Sequence, residues 1–198
     1  TGVLSIASGS GGSGGYLLYA KGGNGGRVYV NSQDSYLSIT SSGGVFLTGG
    51  NGGPTDGYVF KYFGPSGFGG PIKALFNDSF VYIAGDFLSV AGTSGDTVDT
   101  ASDPPTSAIY LDGYAWIGGN VLLQGATGAT AHQDSKKDSY FTTAGTGGSA
   151  HFTTGRLYAT IGGYLAIKGG DGGDLTGVSE LYYYQSTRDG GEAVFFTG

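Results

Sequence analysis

Short runs in which apolar residues alternate with small or polar ones recur from one end of the chain to the other. In Tyr36-Leu37-Ser38-Ile39-Thr40 and Tyr164-Leu165-Ala166-Ile167-Lys168, leucine and isoleucine share one side, while tyrosine and the small or polar residues share the other. A period of two marks a half-buried β-strand, because successive side chains of a strand point to opposite faces. Each run leads through a glycine-containing corner into a second run and then into a glycine-rich exit. The second module reads YLSIT, SSGG, VFLT and GGNGG over residues 36–53, and the fifth reads LYATIGG, YLAIK and GGDGG over residues 157–173.

FVYIAG with DFLSVAG and YAWIGG with NVLLQG make the third and fourth modules. VLSI (Val3 to Ile6) with YLLYAK opens the series, and LYYYQ with AVFFTG ends it. The last five residues, VFFTG, repeat VFLTG at residues 45–49, which pairs the final strand with the second strand of the second module. First strands begin at Val3, Tyr36, Phe80, Tyr114, Leu157 and Leu181, in steps of 33, 44, 34, 43 and 24 residues, so insertions sit on a repeated core. RVYV (27–30), YVFKYF (58–63), AIYL (108–111) and HFTT (151–154) are candidates for a third strand in several turns. Short strands with glycine at every corner suit a coil that turns sharply and stacks. The chain is therefore expected to be one repetitive all-β domain over residues 1–198, a parallel β-solenoid-like stack of about six irregular strand-turn-strand modules. The alternative is a β-sandwich or jelly roll, which has no need of six similar modules.

Composition narrows the class. Glycine is 43 of 198 residues, and each glycine inside a helix costs about 1 kcal/mol relative to alanine, so long helices are excluded. Aromatics at 14% and hydrophobics at 38% exclude a disordered linker. Collagen would need glycine at every third position and abundant proline. The five prolines, at 54, 65, 71, 104 and 105, all fall between modules, where a missing amide donor costs no ladder bond.

In LSI (4–6 and 37–39), YLAIKGG and NVLLQG the chain resembles secreted β-helical adhesins of the filamentous haemagglutinin type, which implies a coil of short strands on a cell surface. GGNGG and GGSGG look like the glycine-rich segments of phage tail-fibre adhesins, whose glycines pack as extended polyglycine helices. Here these tracts are brief and separated by strands, so corners rather than a polyglycine bundle are expected.

With neither Cys nor Met, the chain has no thiol or thioether to oxidise, which suits an exposed extracellular material. It starts at Thr1, as after removal of a leader or trimming. No apolar run reaches the roughly 18 residues of a membrane span, and a net charge of -6 argues against nucleic-acid binding. The acidic stretch from Asp96 to Asp103 reads as a solvated loop.

Catalytic chemistry has little to stand on. His132, His151, Glu180 and Glu192 are the only residues of their types, and no GxSxG elbow accompanies the serines. Asp86 and Asp112 are a carboxylate pair of the kind β-helical polysaccharide-degrading enzymes use, if they stand about 5–9.5 Å apart. GGDGGD at 169–174 matches once the start of the calcium-binding GGxGxD repeat, making Asp171 and Asp174 candidate calcium ligands. No other cofactor is indicated.

The 15 tyrosines either stack on a sheet face or bind sugar rings. The two extremities carry the main functional expectation. TGVLSI and EAVFFTG lack the charge, proline or cap that blunts a strand edge. Val3, Leu4, Ile6, Val194, Phe195 and Phe196 are thus expected at a junction between copies. The expected function is a non-enzymatic extracellular structural protein that assembles with itself, through strand edges, into a filament, tube or sheath. A host- or glycan-binding adhesin is the alternative, and a polysaccharide-degrading enzyme a lesser one.

Overall fold

Alternation with glycine punctuation becomes strand after strand in the computed structural model, which describes residues 2–14, 21–40, 42–55, 66–97, 101, 104–132, 142–176, 185–186 and 189–197. Among these residues there is no helix. The strands are β1 (Leu4–Ala7), β2 (Val28–Gln33), β3 (Tyr36–Ile39), β4 (Val45–Thr48), β5 (Ile72–Ile83), β6 (Phe87–Val90), β7 (Ser107–Ile117) and β8 (Val121–Gln124). The chain continues through β9 (Ala131–His132), β10 (Thr142–Thr143), β11 (Ala150–Ile161), β12 (Leu165–Lys168), β13 (Leu175–Thr176), β14 (Gln185–Ser186) and β15 (Ala193–Thr197).

The chain alternates between two sheets and adds its strands to each in sequence order. The short-strand sheet runs β1-β4-β6-β8-β12; the long-strand sheet runs β2-β5-β7-β11-β15, with β3 also on β5. Two further short pairs, β9 with β13 and β10 with β14, accompany them. Every strand pairing among the described residues is parallel, so the antiparallel pairings of a sandwich or jelly roll do not occur there.

Because register is in phase from strand to strand, inward residues form ladders. In the short-strand sheet one ladder is Leu4-Val45-Phe87-Val121-Leu165 and the next is Ile6-Leu47-Ser89-Leu123-Ile167. The long-strand sheet answers with Val30-Ala74-Ile109-Phe152 and Ile39-Ile83-Ile117-Ile161. These residues meet in one core between the sheets, where each large side chain removed from water stabilises by about 1.5–3 kcal/mol. Phe76 and Phe87 meet edge to face across it, centroids 6.4 Å apart. Ser89 and Ser107, both fully buried, join the sheets by a 2.8 Å hydrogen bond.

Each long strand bends in its middle. Asp34, between β2 and β3, and Asp78 in β5 have φ of 49° and 45°, and Gly113 in β7 has φ of 116°. Short polar side chains and glycine are the residues that tolerate this left-handed region. The bend shifts the register between Phe76 and Ser79 and between Thr154 and Leu157.

The glycine tracts differ from the expected corners. Tracts leaving the short-strand sheet lie against tracts returning to the long-strand sheet, and they bond to each other with a period of three. Within the outgoing layer Ser8, Gly11 and Gly14 donate their N–H to Thr48, Asn51 and Pro54. The residues following them in register face the other layer: Gly53 donates to Gly23, Gly67 to Gly53 and Gly95 to Gly67. A three-residue repeat is that of an extended polyproline II chain. In AGTSGDT (91–97), GATGATA (125–131) and AGTGGSA (144–150) two buried small residues alternate with one residue turned outward. A Cβ at Gly53 would overlap the carbonyl oxygen of Gly12, which is why the inward positions are small. The tracts therefore do form a polyglycine-like bundle, and their brevity is compensated by stacking one copy per turn.

The terminal echo is also corrected. VFLT is β4 of the short-strand sheet, whereas AVFFT is β15 of the long-strand sheet, in register with AHFTT of β11. Five residues carry the same in-out pattern in any strand, and the strand they pair with decides the sheet. YVFKYF, nearly all of YLLYAK and most of LYYYQ lie outside the described residues.

Candidate functional site

The candidate site is the pair of open ends of the stack. At the first end the short-strand sheet finishes on β1 and the long-strand sheet on β2 and β3; at the far end they finish on β12 and β15. The two ends are staggered in opposite senses. The short-strand sheet runs one strand further at the first end, because β1 precedes the turn made by β2, β3 and β4. The long-strand sheet runs one strand further at the far end, because β15 follows the turn made by β11 and β12.

Five of the six candidate junction residues lie in the expected edge strands, and each end shows incomplete cover. Leu4 and Ile6 point inward from β1 but are only half-buried, whereas their ladder partners Val45 and Leu47 are buried. Val3, just before β1, is 64% exposed. At the far end Val194 is half-buried and Phe196 exposed, both on the outer face. Phe195 points inward, stacks on Phe152 at 5.9 Å and is still 55% exposed. Leu165 and Ile167 of β12 are half-buried in the same way.

A second feature lies on the outer face of the long-strand sheet beyond the bend. Tyr36, Phe80, Tyr114 and Tyr158 stand one above another, with successive centroids 5.0, 6.4 and 5.6 Å apart. Beside them Tyr82 stacks on Trp116 at 4.6 Å. The sequence motif behind the ladder is readable as Asp34-Ser35-Tyr36, Asp78-Ser79-Phe80 and Asp112-Gly113-Tyr114: an aspartate, a small residue, then an aromatic, with the positive φ at Asp34, Asp78 and Gly113. The rings use their faces on each other, so what the ladder offers solvent is mostly ring edge.

The remaining candidates are spread out. Asp86 Oδ1 accepts the N–H of Asn120 at 2.7 Å, and Asn120 Oδ1 accepts that of Tyr164 at 3.2 Å, a ladder of side-chain caps at the corner between the sheets. Asp86 thus has a structural task in the turn. His132 bonds Thr176 Oγ1 at 2.6 Å and lies 3.7 Å from Asp96, on an exposed surface. His151 sits within β11. Asp171 and Asp174 stand at outward positions of one glycine tract, three residues apart, at the edge beyond β12. Lys168 Nζ reaches the Asp171 carboxylate at 3.2 Å, and the backbone carbonyls of both aspartates accept bonds from Gly128 and Ala131. Among the described residues no three His, Cys, Asp or Glu side chains gather where they could hold a metal.

No family model matches the sequence, and no curated protein is similar to it. One solved structure found by comparison is a nine-helix polyproline type II bundle, the springtail antifreeze protein from Granisotoma rainieri. It is 16% identical, over 100% of this chain and 91% of that one, with a TM-score of 0.18, a similarity too slight to bear on fold or function. No helix among the described residues is long and apolar enough to cross a membrane.

Proposed function

We propose that this chain is a solenoid-like structural protein that assembles with itself, head to tail, into a filament, tube or sheath outside the cell. The observation that carries this reading is the complementary stagger of the two ends. A second copy, translated along the stack, sets its β1 on β12 and its β2 on β15, in the same parallel sense as every pairing within the chain. Unpaired edge N–H and C=O groups gain partners, and the half-buried Leu4, Ile6, Leu165 and Ile167 become interior ladder positions. Contacts between two different surfaces that do not close into a ring propagate indefinitely. No reaction is part of this reading, and calcium at Asp171 and Asp174 would be an accessory at the far edge. Negative-stain microscopy of the purified protein at micromolar concentration tests it. Long particles are expected, and single particles at every concentration would remove the reading.

Glycan binding is the second reading, favoured by the exposure of Tyr36, Tyr114 and Tyr158 at 68%, 56% and 77%. Sugar rings stack on free aromatic faces, and among the described residues of this ladder only Tyr36 and Tyr158 have an outer face without a stacked ring. Retention on immobilised polysaccharide, lost on replacing Tyr158 by Ala, is the outcome it requires.

A further inference from the structure

We infer that Tyr114 and Tyr158 form an oxidative cross-linking site, where hydrogen peroxide as oxidant joins the two rings carbon to carbon into a dityrosine that ties one turn of the stack to the next. The two residues are register partners on β7 and β11. Their rings stack with centroids 5.6 Å apart and planes 14° from parallel. Among the described residues no other two tyrosines are register partners. Along the same ladder Phe80 separates Tyr36 from Tyr114, and beside it Tyr82 pairs with Trp116. Tyr29 pairs with Lys73, and Tyr110 with Leu75 and Thr153.

Oxidation has few other targets. The chain holds neither Cys nor Met, the side chains that ordinarily oxidise first, so its phenols and its one indole are the most easily oxidised groups. Phe80 and Tyr114 have a ring on both sides and are still 41% and 56% exposed. A ring of this ladder therefore keeps its outer edge in water whatever stacks on its faces, and in tyrosine that edge carries the hydroxyl and the two carbons ortho to it. The indole of Trp116 has Tyr82 on one face, and its register partner on β11 is Thr160, which has no ring to couple.

Each phenol gives up one electron and its hydroxyl proton, leaving a phenoxyl radical with spin density on the ortho carbons. Two such radicals side by side pair their electrons in one Cε–Cε bond. The hydrogen on each bonded carbon then moves to the ring oxygen, which restores both phenols. Hydrogen peroxide, used through a haem peroxidase, takes up the two electrons and two protons and leaves as two waters. Rings already stacked in register need only rotate about exposed side-chain bonds, a motion of picoseconds to nanoseconds, whereas radicals on separated tyrosines must wait for an encounter. The bond closes a long loop of chain, and closing a loop stabilises by restricting the unfolded state. The pair belongs to the single chain and does not rest on the head-to-tail reading.

The test treats the full chain, folded and dilute, with a haem peroxidase and one equivalent of hydrogen peroxide, followed by a denaturing gel and trypsin. Dityrosine fluorescence is expected in the monomer band, with one dominant joint between tryptic peptides 74–136 and 157–168 and the loss of two hydrogens. Tyr114→Phe and Tyr158→Phe should each lower this joint at least tenfold. Tyr110→Phe and Tyr164→Phe, in the same two peptides, should leave it unchanged. Phe80→Tyr fills the gap in the ladder and should add a joint between peptides 28–61 and 74–136. The cross-linked chain should melt about 5 °C higher than the untreated one. An equal yield of the joint in urea, or similar yields among many tyrosine pairs, would mean that register plays no part and overturns the inference. So does a joint confined to the dimer band, which would place the contact between copies, or oxidation of Trp116 with no joint at all.

Discussion

At the scale of single residues, the chain places polar groups in its core and satisfies nearly all of them. The exception among the described residues is Ser94, 5% exposed with no partner for its hydroxyl. It occupies a small inward position of an outgoing tract, beside Gly52. A buried unpaired hydroxyl costs about 1–3 kcal/mol, so Ser94→Ala should raise Tm, by about 2–4 °C for each kcal/mol recovered. Ser89 and Ser107 show the opposite case. Ser89→Ala leaves the Ser107 hydroxyl stranded and should cost about 1–3 kcal/mol in a urea melt, whereas the double Ala variant should cost less than the sum of the singles. The bend makes a third demand. Asp78→Gly should be neutral or mildly stabilising, while Asp78→Val should lose roughly 1–2 kcal/mol, because a β-branched residue resists a φ of 45°. The positive φ of this bend depends on register with the neighbouring strands, and the bend was not foreseen from the sequence.

At the scale of elements, two periodicities alternate along the chain. A period of two carries the strands and a period of three the glycine tracts, so each turn uses both. The first was legible as alternation of Leu and Ile with tyrosine and serine. The second is written in AGTSGDT, GATGATA and AGTGGSA, yet glycine there has the same appearance as glycine at a corner; its partner lies in another turn. The two positions of a triplet differ sharply in tolerance. Gly128→Ala places a Cβ against the carbonyl oxygen of Gly145 and should abolish cooperative thermal unfolding. Thr127→Ala, one residue earlier and turned outward, should stay within about 0.5 kcal/mol of the parent.

At the scale of the whole molecule, the stack has two unlike ends, and the proposed assembly rests on that asymmetry. Charge on an edge strand is the ordinary way a monomer avoids pairing with its neighbour. Ile6→Lys on β1 and Val194→Lys on β15 should each leave the β circular-dichroism signal in place and remove long particles from micrographs. Normal assembly by both variants would mean that the copies meet elsewhere. The candidate junction residues were legible only as apolar residues of alternating strand runs. The stagger of the ends was not legible, since VFFTG read as a second strand of a module, whereas AVFFT joins the long-strand sheet on the first half of β11.

The sequence alone determined that the chain is all-β and which residues of its alternating runs share a face, because these follow from side-chain alternation and from the glycine content that excludes helices. Only the tertiary structure decided which sheet each strand joins, how the glycine tracts interlock and how the two ends are staggered. These depend on pairings such as Leu4 with Val45 and Phe152 with Phe195, between residues about forty positions apart, and no local pattern states the register across such a distance.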